Sequence, residues 1–400
     1  MRKPRPINRM EISEQNKTLR LIAAIALLVI GALGITVGVM SALKQDSGWQ
    51  PVQITTQERS CHENFLLQYD FGKSGADATA VNQKLQTVYS EACVKAYQLF
   101  TPDEEIPGVN NVYHINRHPN EAITVDPLLY AAFEKMNGTP YLTMGPVYSH
   151  YYSIIYNAPE SSITQMDPIT APEAAAYLRD IMEFASDENA VKLELLGENQ
   201  VRLSVSEEYL AFAAEEEIEN FIDFAYLTNA FIIDYLAQTL VENGLTDGYI
   251  VSVDGYTRNL CAGVKFGFNI FDRVEDLVYP AAVMEYEAPV SIVFFKDYPT
   301  AEQDTNYRQN GDRFIHLFAD TQDGICRTAK EELVSYSYES GCADVALKML
   351  PSFVGSDFAV PTDVYSIWCE DSVVYYNDPA VTITQLLKDA NADYRAVLKN

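Results

Sequence analysis

Few of the reactive side chains in this chain stand at spacings that chemistry demands. The five histidines (His62, His114, His118, His150 and His316) do not cluster as metal ligands, so each reads as an ordinary surface or core residue. Six cysteines, at positions 61, 93, 261, 326, 342 and 369, form no CxxC pair, which argues against zinc. Their even number fits an oxidising compartment and permits up to three disulfides, while small buried thiols satisfy the sequence equally well. There is no phosphate-binding P-loop, no GxGxxG after a strand, no GxSxG and no HExxH, so no generic catalytic signature names a reaction.

Charge and hydropathy say more about where the chain sits. It carries 28 Lys and Arg against 56 Asp and Glu. Residues 1–20 hold six bases and two acids, so the remainder has 22 bases and 54 acids, a net of −32. Such a domain repels nucleic acid and anionic lipid surfaces, which excludes a nucleic-acid function. Leu21 to Leu43 is a run of 23 residues without a charge. At the helical rise it spans about 35 Å, enough to cross a bilayer core of roughly 30 Å. A cleaved signal peptide would have a shorter apolar core and a small-x-small site, of which Val39-Met40-Ser41-Ala42 is a poor version. The first cysteine is Cys61, so lipoprotein processing just after the apolar run is unsupported. The expectation is a cytoplasmic basic tail (1–20), one transmembrane helix (21–43), a polar tether (44–60) and an extracytoplasmic domain (61–400).

In that domain Phe65–Phe71 reads as a strand and Asp77–Phe100 as an amphipathic helix. A second helix is expected over Asp126–Met136, with Asp126 as N-cap and Pro127 at the first helical position. Residues 139–168, rich in Tyr, Pro and Gly, read as ordered loop. A helix near Pro172–Ala185, a hairpin of 191–195 with 200–205, and a long helix from about Glu215 to Asn243 follow, with Gly244 ending the last. Strands are expected at 249–253, 262–268, 290–295, 314–318 and 332–338. A helix at Cys342–Leu350 and a hairpin of 364–368 with 373–376 complete the series. Strands mixed with helices, without regular βαβ alternation, give an α+β class.

The order of these elements and of several short motifs resembles the ApbE family, the extracytoplasmic FAD:protein FMN transferases, over roughly residues 62–380. The family's SxxN stretch is similar to Tyr113-His114-Ile115-Asn116-Arg117, and its DPTVGPL loop to Tyr141-Leu142-Thr143-Met144-Gly145-Pro146-Val147. LDLGGIAKGYAVD maps without a gap onto Ile222 to Asp234 and keeps both aspartates, Asp223 and Asp234. VNLGGDIR resembles Val251 to Arg258, HIIDPxTG resembles His316 to Gly324, and the ADALATAL helix resembles Ala343 to Leu350.

The resemblance implies an α+β, T-fold-like domain with mixed and antiparallel sheets, flanking helices, and a cleft between sheet edges and the long helix. It implies cleavage of FAD and transfer of FMN to a Thr or Ser of a flavin-carrying membrane redox protein, with magnesium offsetting the diphosphate charge. By the same resemblance Asp344 and Asp223 are catalytic candidates, and Thr143, Gly145, Asn229, Asp254, Gly255 and His316 line the FAD site. Several parts differ from the family pattern. The family's Lys is Asn229, its Gly-Gly pair is Ala225-Tyr226, the later pair is Asp254-Gly255, and the ATSGD segment is not recognisable. The metal ligands Asp and Thr become Asp344 and Lys348. An ammonium has no lone pair for magnesium, and at i+4 Lys348 is placed to pair with Asp344 instead. Three readings stay open: a transferase with a remodelled site, a degenerate homologue that binds a ligand, or an interaction protein.

Overall fold

The computed structural model describes residues 48–274, 277–287, 289–300, 306–388 and 393–399. The expected transmembrane segment, 21–43, lies outside the described residues. Among those described, no helix is long and apolar enough to cross a membrane.

The domain is organised by one nine-stranded sheet whose spatial order follows the chain. Its strands are β1 (Trp49–Pro51), β2 (Phe65–Asp70), β3 (Gly248–Ser252), β4 (Tyr256–Asn259), β5 (Val290–Lys296), β6 (Glu332–Ser337), β7 (Tyr365–Glu370), β8 (Val373–Tyr376) and β9 (Arg395–Leu398). Neighbours are antiparallel except β8 and β9, which run parallel. Strand β1 lies within the stretch expected to be tether, so the fold begins earlier than its composition suggests.

Alternation along β5 divides the interior in two. Val293 and Phe295 face a helix-covered core, while Val290, Ile292 and Phe294 face a smaller core closed by the long hairpin Lys265–Val274 with Leu277–Glu287. The helices are α1 (Ala78–Phe100), α2 (Val112–Arg117), α3 (Pro127–Met136), α4 (Pro172–Ala185), α5 (Glu207–Glu215), α6 (Thr228–Glu242) and α7 (Cys342–Phe353). Helix α1 buries Leu85, Tyr89, Ala92, Cys93, Ala96 and Leu99, one stripe at helical spacing. Helix α3 starts as its sequence dictates: the Asp126 side chain accepts from the Leu128 N–H, and Pro127 takes a position that needs no donor.

Two stretches differ from the sequence expectation. Residues 139–168 are largely helical, with a π-helix at Pro146–Tyr152 and short α-helices at Ser153–Asn157 and Glu160–Met166. Pro146 stands at the entry of its helix and Pro159 just before the next, where proline is tolerated, and Tyr148, Tyr151 and Tyr152 need the buried face that a helix gives them. The long helix begins at Thr228 rather than near Glu215, because side chains from elsewhere hold the backbone of residues 216–224. The six cysteines are all free and buried, with no disulfide formed.

Candidate functional site

The segment before α6 is fixed by one buried amide. Asn116, on α2, accepts at Oδ1 from the N–H groups of Phe221 (2.9 Å) and Ile222 (3.0 Å) and donates from Nδ2 to the Ile222 carbonyl (2.9 Å). Gly145 lies against the same backbone: a Cβ there would stand 2.9 Å from the Ile222 main chain. The next residue, Asp223, donates its N–H to Leu142 O and accepts at Oδ1 from the Ala225 N–H (2.8 Å). Two distant stretches of sequence, around residues 116 and 142–145, thus meet at residues 220–225.

Ala225 pays for that turn with a φ of +47°, a conformation L-residues avoid. The Ala225→Gly variant is expected to be more stable by about 0.5–1 kcal/mol, strain relief outweighing glycine's extra entropy. A urea midpoint that falls instead would mean the turn is not strained.

Around this turn lies a two-lobed cleft. The larger lobe, a cavity of about 990 Å³, is lined by Asp103, Tyr148, Tyr156, Asp223, Arg308 and Phe314, among others. Burial pushes the Asp223 carboxyl up to about 7, against the hydrogen bond from Ala225, and the nearby Asp103 charge adds to the rise. Asp103 is itself raised by burial. The smaller lobe, about 440 Å³, shares Ala225 and Leu317 with the first and is walled by Tyr226, Phe294, Phe295 and Phe318. Its polar end is Asn229, whose Nδ2 donates to Asp254 Oδ2 at 2.9 Å, while the Ser252 hydroxyl donates to Asp254 Oδ1 at 2.5 Å. Burial pushes Asp254 up to about 6 despite both bonds. Gly255 completes the β3–β4 turn at φ +99°, where a Cβ would strike the Phe294 carbonyl.

The sequence matches no protein-family model and no curated protein. The arrangement in space does have counterparts. An ApbE protein from Thermotoga maritima superposes with a TM-score of 0.51 at 11% identity, over 84% of this chain and 97% of that one. The chain has the ApbE fold. The flavin transferase ApbE from Vibrio cholerae gives 0.48 at 12% identity, over 80% and 92% of the two chains.

Within this ApbE fold the residues singled out from sequence fall into different places. Asp223, Asn229 and Asp254 line the cleft, and Gly145 and Gly255 shape the backbone beside it. His316 is buried behind the smaller lobe, its ring against Phe318. Its Nδ1 accepts from the Phe318 N–H, and burial with Arg313 nearby lowers it to about 3, so the imidazole stays neutral. Thr143 lines a separate hollow with Phe133, Lys192 and Thr321. Asp344 is not among the residues lining the cleft. Both of its oxygens accept from the Lys135 ammonium at 2.6 Å, so its ion pair is with Lys135 on α3 and not with Lys348, which is exposed.

This arrangement does not fit magnesium, which needs near-octahedral oxygen ligands: an ammonium already occupies the Asp344 carboxylate, and Lys348 offers no lone pair. Millimolar magnesium is therefore expected to leave the melting temperature unchanged, and the Lys348→Thr variant alone to create no magnesium binding. A saturable magnesium-dependent rise that Asp344→Ala removes would contradict this.

The neighbouring Asp234 caps α7, accepting from the N–H groups of Cys342 (2.8 Å) and Ala343 (2.9 Å). Gly341 is required for that approach, since a Cβ there would meet the Asp234 carboxylate at 2.2 Å. Among the described residues, one group of metal-type donors converges away from the cleft. Asp272, Glu332 and Cys369 each bring one ligand atom within 4.8 Å of the others. Tyr394 and Tyr298 donate to the two carboxyls, and both acids are raised by burial.

Sequence reasoning passed over Asp103, Tyr148, Tyr156 and Arg308 as site residues. Asp103 sits just beyond α1 and the tyrosines in a stretch read as loop, so no periodic signal marks them. Asn116 was legible only as part of a motif.

Proposed function

We propose that this chain is a membrane-anchored, extracytoplasmic protein of the ApbE fold that holds the ring of a flavin or nucleotide in its cleft without transferring FMN. The hydrogen bond between Asn229 and Asp254 carries the reading. At the place where the resembling family has a lysine for the diphosphate, this chain has a neutral amide bound to a buried carboxyl. With Asp254 at about 6, that carboxyl is mostly ionised at neutral pH and repels phosphate. The walls of Tyr226, Phe294, Phe295 and Phe318 still suit a planar ring. The FAD ring therefore has a complementary surface, and at the Asn229 end its diphosphate meets a carboxylate instead of a cation.

Anchoring and outward placement are supported by the uncharged 23-residue run behind a basic tail. Protease added to intact cells is expected to digest residues beyond 44 and spare the tail. A soluble mature chain beginning near residue 43 would sink that part.

A thermal-shift series with riboflavin, FMN, FAD and AMP tests the ligand. Riboflavin is expected to stabilise the protein at least as well as FAD, with no effect of magnesium. The Asn229→Lys variant should gain less than about fivefold in FAD affinity, because Asp254 pairs with the new ammonium. Tight stoichiometric FAD binding by the wild type would overturn the reading.

One observation favours a second reading, a transferase with a remodelled site. Asp223 at about 7 in the larger lobe can exchange a proton with an acceptor hydroxyl near neutral pH. Incubation with FAD, magnesium and a Thr-containing peptide from a flavin-carrying membrane redox protein decides between them. Covalent flavin on the peptide would establish transfer.

A further inference from the structure

Cys61 and Cys93 are separated by 31 residues in the chain and brought together by the fold. Cys61 opens the single 3-10 turn Cys61–Asn64 that feeds β2, and Cys93 lies in the middle of α1. The turn packs against α1, both side chains lie in the helix-covered core, and Cys93 is the neighbour that most strongly raises the Cys61 thiol. Cys93 is fully buried and Cys61 is 5% exposed. One turn before Cys93, the Tyr89 hydroxyl is buried beside the thiols with no hydrogen-bond partner. The other four cysteines are divided between the two cores, Cys326 and Cys342 in one and Cys261 and Cys369 in the other.

The position has mechanical meaning. Residues 52–60 form no helix or strand, although Val52 is buried in the core and donates its N–H to Leu67 O. Thr55 N–H donates to the Ser90 hydroxyl, and Arg59 makes an exposed ion pair with Glu104. The chain has already joined the sheet at β1, and Cys61 begins the turn that returns it to β2.

Resting on the outward placement proposed above, we propose that Cys61 and Cys93 form a disulfide that fastens the segment between β1 and β2 to α1. The oxidant is a disulfide-bearing carrier, protein or glutathione, met before the thiols are buried. The Cys61 thiolate attacks the carrier disulfide, giving a mixed disulfide and one carrier thiol. The Cys93 thiolate then attacks the Cys61 sulfur and releases the second carrier thiol. Two thiols of the chain lose two electrons and two protons, and the carrier disulfide gains them. Once the domain has closed, burial blocks access, and the neighbouring Cys93 thiol together with burial raises the Cys61 thiol, so the bond forms during folding and is then protected.

The test uses the full chain, extracted in detergent from the cells that make it. It is denatured in iodoacetamide without reductant, digested and mapped by mass spectrometry. The expected result is one cross-linked peptide pair containing Cys61 and Cys93, with the other four cysteines alkylated. Six alkylated cysteines, or any other pairing, would overturn the proposal. A second measurement needs no native source: reduced, denatured chain is refolded with oxidised and reduced glutathione. The Cys61–Cys93 bond should form there too, and chain refolded without glutathione disulfide should melt roughly 5–10 °C lower. In the Cys93→Ser variant the two preparations should melt together. Equal melting of the two wild-type preparations would count against a fastening role.

Discussion

Replacing Asn116 with alanine should cost about 3–5 kcal/mol of stability, although Asn116 lies in a six-residue helix far in sequence from its partners. Its amide satisfies three main-chain groups of residues 221 and 222. Asn116 is 2% exposed and Ile222 is fully buried, so water cannot take over those bonds. Each abandoned buried group costs roughly 1–3 kcal/mol, far more than the net worth of an ordinary hydrogen bond. The Asn116→Asp variant keeps the acceptor for both N–H groups but sets a carboxylate against the Ile222 carbonyl, so it should fall between wild type and alanine. Urea unfolding with an unchanged m-value measures both. A loss under about 1 kcal/mol for alanine would show that the segment finds other partners. Because Asp223 follows directly, the same variant should also loosen the cleft and weaken ring binding.

The Asp223→Asn variant should show the second large effect, and it should depend on pH. The carboxyl stands at about 7 in the folded chain against 3.8 as its ordinary value. A raised acid favours the protonated, folded form. Its contribution is complete below pH 4 and is lost as pH rises to about 7, where the folded protein finally releases the proton. The gap corresponds to about 4 kcal/mol. Asparagine stays neutral and can still accept from Ala225, so the variant should be more stable than wild type by about that amount at pH 8 and nearly equal at pH 4. Asp254 and Asp297, both raised to about 6, give the wild type a similar slope in the same window. The difference between the two stability profiles, rather than either alone, isolates Asp223. A difference that does not change with pH would mean that burial leaves the Asp223 carboxyl at its ordinary value.

Local chemistry wrote much of this protein into its sequence. The Asp126-Pro127 start of α3, the stripe of α1, the Gly244 stop of α6 and the hairpins at 191–205 and 365–376 rest on contacts within a few residues, and each stands where those residues place it. The ordered motifs likewise pointed to the ApbE fold, since apolar pattern and turn chemistry persist when identities do not. Tertiary structure decided the rest. Residues 216–224 carry helix-compatible residues, yet Asn116 and Gly145 hold them irregular from more than 70 positions away. Lys348 is the sequence neighbour of Asp344 on one helix face, but Lys135 on another helix takes both oxygens. The cleft acids Asp103, Asp223 and Asp254 have ordinary identities, and only burial moves their protons toward neutral pH. Spacing along the chain records which groups can meet within a turn. Which carboxylate loses its water, and which lysine reaches it, is set by packing between distant segments.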